Sequence, residues 1–419
     1  MRAALDAILR RFITIGRLTV RWPDGESRTY GGGGGPEVAL TLTSNAAVRR
    51  LLFNPALAAG ELYMDGGLVP DGCGIYDVLE VLITNRQANQ SAIPTARLHD
   101  VFGAIKRRLD QYNPARRAQR NVAHHYDLNG RLYSLFLDRD RQYSCAYFPR
   151  GDETLEEAQM AKKRHIAAKL CLTRPDLEVL DVGCGWGGLA LTLARDYGAR
   201  VTGITLSQEQ LAEARNRAIA EGLQDRVDFQ LLDYRAVHRD YDRIVSVGMF
   251  EHVGVNHYRS FFDVLGRCLR PDGVALLHAI GRSDGPGSTN AWIRKYIFPG
   301  GYCPALSEVL PRIEHSGLVA TDIEVLRLHY AETLRNWRRR FIANQDAIAT
   351  LYDERFCRMF EFYLCGSELA FRRDGHMVFQ IQLAHQQTAA PLTRDYITVA
   401  EAAAANRQRA AVTVEAEHH

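Results

Sequence analysis

The sequence predicts an α/β protein: a doubly wound, mostly parallel seven-stranded sheet preceded by a smaller α+β unit. Three observations carry this. Short apolar β runs at 177–182, 200–205, 227–231, 243–248 and 273–280 alternate with helical patterns, the order that winds a parallel sheet with helices on both faces. The first run enters Gly183-Cys184-Gly185-Trp186-Gly187-Gly188, and a helical pattern from Leu189 to Tyr197 leaves it. Such a turn lets the backbone bend sharply and approach a ligand. Two later runs, 318–327 and 377–385, bracket a long helical stretch at 331–372, which predicts a late antiparallel strand.

With 419 residues the chain can hold two domains. The expected boundaries are an N-terminal α+β unit at 1–118, the main sheet domain at 119–390 and a tail at 391–419. The chain is 46% hydrophobic and 24% charged, with net charge +3. That balance excludes a general polycation and gives no reason to expect a nucleic-acid partner. Nearly all the basic residues are arginine, and they cluster at Lys106-Arg107-Arg108, Arg116-Arg117 and Arg120. Such a cluster is either a solvated face or a contact for anionic phospholipid, where each basic group contributes roughly 1 kcal/mol. The eight cysteines show neither Cys-x-x-Cys pairs nor metal spacing, and no secretory leader is evident. They are expected to be reduced thiols in a cytoplasmic protein that binds no metal. No apolar run approaches the roughly 20 residues needed to span a bilayer, so membrane contact is expected to be peripheral.

Within the N-terminal unit, Ala3 to Ile13 has a helical pattern. Gly16 to Trp22 and Glu26 to Tyr30 alternate around Pro23-Asp24-Gly25, a hairpin signal. Gly31 to Gly35 reads as a mobile loop. Val38 to Thr43 reads as a strand, with helices at Ala46 to Phe53 and Tyr76 to Ile83. Gly60 to Gly66 is either a functional segment or, as the better reading, a packed strand or turn. At the other end, the Ala-, Glu- and Arg-rich residues from 391 trail off as a helix or a disordered tail.

Ligands of doubly wound sheets sit at the carboxyl ends of the strands. A dinucleotide fold places a ribose-binding acid about 20 residues beyond the glycine turn, but here the second strand ends in Gly203-Ile204-Thr205-Leu206-Ser207. That weighs against a nicotinamide dehydrogenase and favours S-adenosylmethionine. Leu232-Asp233-Tyr234-Arg235 follows the third strand, Gly248 to Gly254 the fourth, and His278-Ala279-Ile280-Gly281 closes the fifth. A lone His at a strand end is ordinarily a core residue. Glu251 and His278, from consecutive strands, are placed to converge on one cofactor edge. Asn121 to Leu128 and Tyr143 to Phe148 precede the first strand and either fold over the cofactor or complete packing. Aromatic residues concentrate from Trp292 to Tyr363, as a core or as the wall of a tunnel for a hydrocarbon chain.

Together these residues resemble the cyclopropane-fatty-acyl-phospholipid synthases, S-adenosylmethionine-dependent enzymes of the class I methyltransferase fold. The resemblance runs from about Gly60 to Gln382. It rests on Gly-Glu-Leu-Tyr-Met-Asp-Gly (60–66), His-Tyr-Asp-Leu (125–128), Tyr-Ser-Cys-Ala-Tyr-Phe (143–148), Val-Leu-Asp-Val-Gly-Cys-Gly-Trp-Gly (179–187), Gly-Ile-Thr-Leu-Ser (203–207), Gly-Met-Phe-Glu-His-Val-Gly (248–254), Tyr-Ile-Phe-Pro-Gly-Gly-Tyr (296–302) and His-Tyr-Ala-Glu-Thr-Leu (329–334). It implies methylene transfer to the cis double bond of an unsaturated phospholipid acyl chain, with bicarbonate as proton acceptor. The implied bicarbonate holders are Cys145, Glu251, His278, Ile280 and Tyr330. The implied cofactor contacts are Tyr143, Ser144, Asp181, Gly183, Gly185, Thr205, Leu206, Gln210, Tyr234 and Arg235. It also implies a lipid-docking role for the N-terminal unit, peripheral association with the inner membrane face, and leaves a homodimer open. A cysteine that some relatives carry in a Tyr-Leu-x-x-Cys segment is Ser367 here, with Cys365 two residues earlier, so a nucleophile there is not expected. Two other readings remain: a methyltransferase of the same fold that leaves a methyl or methylene branch or modifies a small amine, and a non-catalytic lipid carrier.

Overall fold

A computed structural model describes residues 1–90 and 130–417. The arginine clusters at 106–120 and the 121–128 segment lie outside the described residues. In chain order the described elements begin with α1 (Arg2–Phe12), β1 (Gly16–Arg21), β2 (Ser27–Gly33), β3 (Glu37–Leu42), α2 (Asn45–Phe53), α3 (Pro55–Met64), β4 (Leu68–Asp71) and α4 (Ile75–Gln90). Then come α5 (Gly130–Phe136), α6 (Leu155–Lys169), β5 (Glu178–Val182), α7 (Gly188–Tyr197), β6 (Arg200–Thr205), α8 (Gln208–Ala220), β7 (Val227–Leu231), β8 (Tyr241–Val247), α9 (Tyr258–Cys268) and β9 (Leu269–Arg282). The chain continues through α10 (Ala291–Tyr296), α11 (Leu306–Glu314), β10 (Val319–Val325), α12 (His329–Ala343), α13 (Gln345–Leu351), α14 (Glu354–Arg373), β11 (His376–Ala384) and α15 (Asp395–Glu417).

These elements fall into two compact units that do not follow the expected consecutive boundaries. The first comprises residues 1–110, 287–301 and 331–376, and the second comprises 111–286, 302–330 and 377–419. Most of the helical stretch between the last two strands therefore belongs with the N-terminal residues. Apolar side chains explain this membership, since Cys365 and Leu369 of α14 are fully buried in the same cluster as Leu18, Trp22, Leu40 and Val78.

The first unit carries a four-stranded sheet of order β2-β1-β3-β4, with β1 and β3 parallel. The glycine stretch at 31–35 differs from its expectation as a mobile loop, because β2 runs on to Gly33 and pairs it with Gly16. Gly31 sits at φ +98°, and a Cβ there would strike the Gly16 carbonyl, so glycine is demanded by close approach of two strands. Residues 60–64 differ, forming the end of α3 rather than a strand, while Asp65-Gly66 make the expected turn. Pro55 opens that helix and Gly66, at φ +72°, ends it. Packing accounts for this motif: a Cβ on Gly60 would collide with the Trp292 indole. Glu61 accepts from Arg50 (2.5 Å), Lys295 (2.6 Å) and Tyr296 (2.9 Å). Burial opposes the Glu61 charge, but these donors hold its pKa down at about 2. The aromatic residues of this unit are largely core, with Trp292 edge-on to Phe362 and Phe341 stacked on Phe360.

The second unit holds the seven-stranded sheet, of order β10-β11-β9-β8-β5-β6-β7. The pairs β5/β6, β5/β8, β6/β7 and β8/β9 are parallel, and β10/β11 is antiparallel. Strand order reverses between β5 and β8, the switch point at which such sheets open a crevice. Apolar clusters cover both faces, one around Phe261, Phe262, Leu277 and Phe379, the other around Leu191, Leu193, Val201 and Phe229.

Residues from 395 onward form α15, which packs on α6. The contact is ionic as well as apolar. His165 of α6, almost fully buried, bonds through Nδ1 to Glu401 (2.6 Å) and through Nε2 to Glu324 of β10 (2.8 Å). Burial disfavours the imidazolium, but the two carboxylates outweigh it and raise the His165 pKa. A raised histidine contributes stability below its ordinary pKa and loses it as pH climbs through the folded value. Glu401→Gln should therefore cost about 2 kcal/mol of unfolding free energy near pH 6. The gap to wild type should narrow at pH 9, measured by urea unfolding at both pH values.

Candidate active site

The crevice at the switch point is a cavity partly open to solvent and lined wholly by residues of the second unit. Its floor is the glycine turn after β5. Gly183 and Cys184 both donate their backbone N–H to the Ile204 carbonyl (3.0 Å each), which ties the turn to β6. Gly187 caps α7 at φ +83°, and a Cβ there would lie 2.6 Å from Phe229 Cζ. Only glycine allows that fit. All ten expected cofactor contacts line the cavity: Tyr143 and Ser144 before α6; Asp181, Gly183 and Gly185 on β5 and its turn; Thr205, Leu206 and Gln210 after β6; and Tyr234 and Arg235 after β7.

The walls are built with polar groups already directed. Thr205 donates its hydroxyl to Gln210 Oε1 (2.9 Å), while Ser207 caps α8 by accepting from the Gln210 N–H (3.3 Å). Asp233 accepts from Arg235 Nε (2.8 Å) and Nη2 (2.6 Å), so this arginine is neutralised by its neighbour. Tyr143 rests on the edge-on ring of Tyr133 (5.4 Å). Asp181 is almost fully buried, and its Oδ2 has no partner among the described residues. Burial pushes its pKa up to about 7, with the Lys162 charge pulling back. A carboxylate with a spare oxygen beside a glycine turn fits an ammonium group such as the α-amino end of S-adenosylmethionine. Gln142, Trp186, Asp233 and His252 also line the cavity. Trp186, Asp233 and His252 fall within the glycine turn and the strand-end stretches singled out in the sequence but were not among the expected contacts, and Gln142 lies one residue before the 143–148 motif.

Of the expected bicarbonate residues, Glu251, His278 and Ile280 lie at the ends of β8 and β9, and Cys145 follows the lining residue Ser144 in sequence. Glu251 sits on a short 3₁₀ turn after β8, in the same segment as the lining residues Met249 and His252. Its Oε1 accepts from the Ile280 backbone N–H at 2.6 Å, and its Oε2 is buried without a partner among the described residues. Burial raises the Glu251 pKa to about 7, and the Ile280 amide opposes the rise. Ile280 thus spends its amide on Glu251 and would act on a bound anion only through that carboxylate. His278 is fully buried on β9, and its carbonyl accepts from the Gly248 N–H (2.9 Å) at the end of β8. Burial, then the positive charge of Lys162, pushes the His278 pKa far down, so the ring is neutral. Gln380 Nε2 lies 3.1 Å from its Nδ1, which leaves the ring proton on Nε2. Cys145 is buried with its thiol toward the Ala146 carbonyl (3.2 Å), and is no exposed nucleophile. Tyr330 lies in the first turn of α12, next to His329, whose Nδ1 accepts from the Phe148 N–H (3.0 Å) and so ties that turn to the 143–148 segment. Burial likewise pushes the thiol of Cys365 well up, and that residue lies in the first unit.

Comparison with known proteins agrees with this fold. The mycolic acid cyclopropane synthetase family matches residues 113–381, and a domain of unknown function matches residues 4–92. The cyclopropane-fatty-acyl-phospholipid synthase of Escherichia coli is 39% identical over 335 residues, covering 80% of this chain and 84% of that protein. A probable fatty acid methyltransferase of Pseudomonas putida is 44% identical over 268 residues, 62% of this chain and 68% of the relative. Among solved structures, the mycolic acid cyclopropane synthase CmaA1 complexed with SAH and CTAB superposes with a TM-score of 0.61 at 34% identity. It covers 65% of this chain and 99% of its own. The cyclopropane synthase MmaA2 of Mycobacterium tuberculosis gives a TM-score of 0.61 at 33% identity, covering 65% and 99%. The chain belongs to the mycolic acid cyclopropane synthetase family and is an S-adenosylmethionine-dependent transferase that modifies lipids.

Proposed function

We propose that this enzyme adds a methylene group from S-adenosylmethionine across the cis double bond of an unsaturated phospholipid acyl chain, closing a cyclopropane ring, with bicarbonate accepting the proton. The observation that carries the proposal is Glu251: a dry carboxylate with one oxygen fixed by Ile280 and the other unpaired among the described residues, beside the cofactor cavity. When bound, S-adenosylmethionine supplies an electrophilic methyl and bicarbonate supplies a mild base, so no side-chain nucleophile is required. The residues fit an anion of that kind. Glu251 cannot attract it by charge and instead accepts its O–H through Oε2. Neutral His278 donates from Nε2, Tyr330 donates its hydroxyl, and Cys145 contributes its backbone N–H. The ten cavity residues named above hold the cofactor, with Asp181 on its ammonium end.

The phospholipid substrate is supported by the length over which the chain matches the Escherichia coli synthase. Among the described residues no helix is long and apolar enough to cross a membrane. The proposal therefore has the enzyme meet the inner membrane face from the cytoplasm as a peripheral protein, with the N-terminal unit docking on lipid. A second reading, a methyl branch left on the acyl chain, is favoured by the 44% identity to a probable fatty acid methyltransferase.

Incubation with labelled S-adenosylmethionine and vesicles of cis-unsaturated phospholipid separates the two. Mass spectrometry should show gain of CH2 with loss of the alkene. A labelled lipid that keeps its double bond or carries a methyl branch would favour the second reading. Stripping bicarbonate from the assay should lower the rate, and adding it back should restore it. Glu251→Gln should cut kcat by roughly a hundredfold or more while S-adenosylhomocysteine affinity stays within about twofold. The same variant has a stability consequence. A carboxyl whose pKa is raised on folding contributes stability at acidic pH and loses it as pH passes about 7. The glutamine variant should melt above wild type at pH 8, with the difference closing below pH 4.5, the ordinary value of the group.

A further inference from the structure

The segment that brings Tyr143 and Ser144 to the cavity is held from behind by α6. Lys162 Nζ donates to Ser144 Oγ (2.8 Å) and to Gln142 Oε1 (2.5 Å), and the side chain is 1% exposed. One turn earlier, Gln159 Nε2 donates to the carbonyls of Ser144 (3.0 Å) and Gln142 (3.3 Å). Lys163 holds Asp140 (2.7 Å), which in turn accepts from Gln142 Nε2 (3.0 Å). Both Gln142 and Ser144 line the cavity, whereas Lys162 does not.

An ammonium group donates and cannot accept. With Lys162 on its oxygen, the Ser144 hydroxyl cannot send its proton back toward α6, and it meets no acceptor among the described residues. The remaining direction is the cavity. We infer that Lys162 is a positioning residue that turns the Ser144 hydroxyl proton into the cavity, making this edge a receptor for the carboxylate of the cofactor's amino-acid end. Asp181, also on the cavity wall, supplies the complementary acceptor for the ammonium of the same end. The two together discriminate a ligand that carries a zwitterionic tail from one that carries only the nucleoside and thioether. Burial lowers the Lys162 pKa to about 8, so the group is still predominantly charged at pH 7. The inference rests on S-adenosylmethionine being the cofactor.

The test is isothermal titration at pH 7 with two probes, S-adenosylhomocysteine and 5′-methylthioadenosine, which lacks the amino-acid tail. Wild type, Lys162→Met, Lys162→Gln and Ser144→Ala are compared, with thermal midpoints alongside. Lys162→Met should weaken S-adenosylhomocysteine roughly tenfold to a hundredfold and leave 5′-methylthioadenosine within about twofold. Adding Ser144→Ala to Lys162→Met should cost little more, because both remove one interaction. Lys162→Gln offers Ser144 an acceptor, so it should show the same selective loss, and it carries the comparison alone should the methionine variant fail to fold. Parallel losses for both probes would mean that Lys162 only supports the fold, and no loss for either would mean that it does not act on the edge. Both results overturn the inference. Failure of wild type to bind S-adenosylhomocysteine would instead overturn the cofactor assignment itself, and the inference with it.

Discussion

A 2.6 Å hydrogen bond from the Ile280 backbone to Glu251 Oε1 is the contact on which the proposed chemistry depends. It joins the turn after β8 to the end of β9 and fixes one oxygen of a carboxyl group kept dry. The other oxygen is left unpaired among the described residues, and desolvation makes such a group costly to ionise. A site that tolerates this cost has a carboxyl group whose proton is nearly balanced at neutral pH, with a pKa of about 7. That suits an acceptor for a protonated anion better than it suits a fixed strong base, which would compete for the methyl donor.

The same arrangement repeats around the cofactor cavity. Asp181 is a second buried carboxyl with a spare oxygen, and Lys162 is a cation behind the wall rather than in it. Its charge lies close enough to lower the pKa of both Asp181 and His278. One buried lysine thus bears on both halves of the site, the donor cavity and the neutral imidazole beside it. Burial of charges that mutual attraction only partly offsets weakens the fold, and such local cost is typical of sites held for function.

Much of this was legible from residue order. The five parallel strands fall within a few residues of their apolar runs, because strands buried on both faces show as short continuous apolar stretches. The residues that the family resemblance implies as cofactor contacts all line the cavity, most of them at strand ends and in the glycine turn. Two glycines are explained only by the residues packed against them. At Gly31 the partner that demands glycine is Gly16 on a neighbouring strand, and at Gly60 it is Trp292, over two hundred residues away in sequence. Local pattern carries neither contact. The interleaving of the two units was equally hidden, since the periodicity of α14 tells which face is apolar but not which core receives it. Lys162 was passed over because a lysine in an amphipathic helix is ordinarily solvated; only the fold reveals the hydroxyl it holds.

The most direct measurement is a crystal structure of the enzyme grown with S-adenosylhomocysteine in bicarbonate buffer. The account predicts a planar anion within hydrogen-bond distance of Glu251 Oε2 and also in contact with His278 and Tyr330. An ordered water alone at that oxygen, or a Glu251 side chain turned away from Ile280 toward solvent, would contradict it.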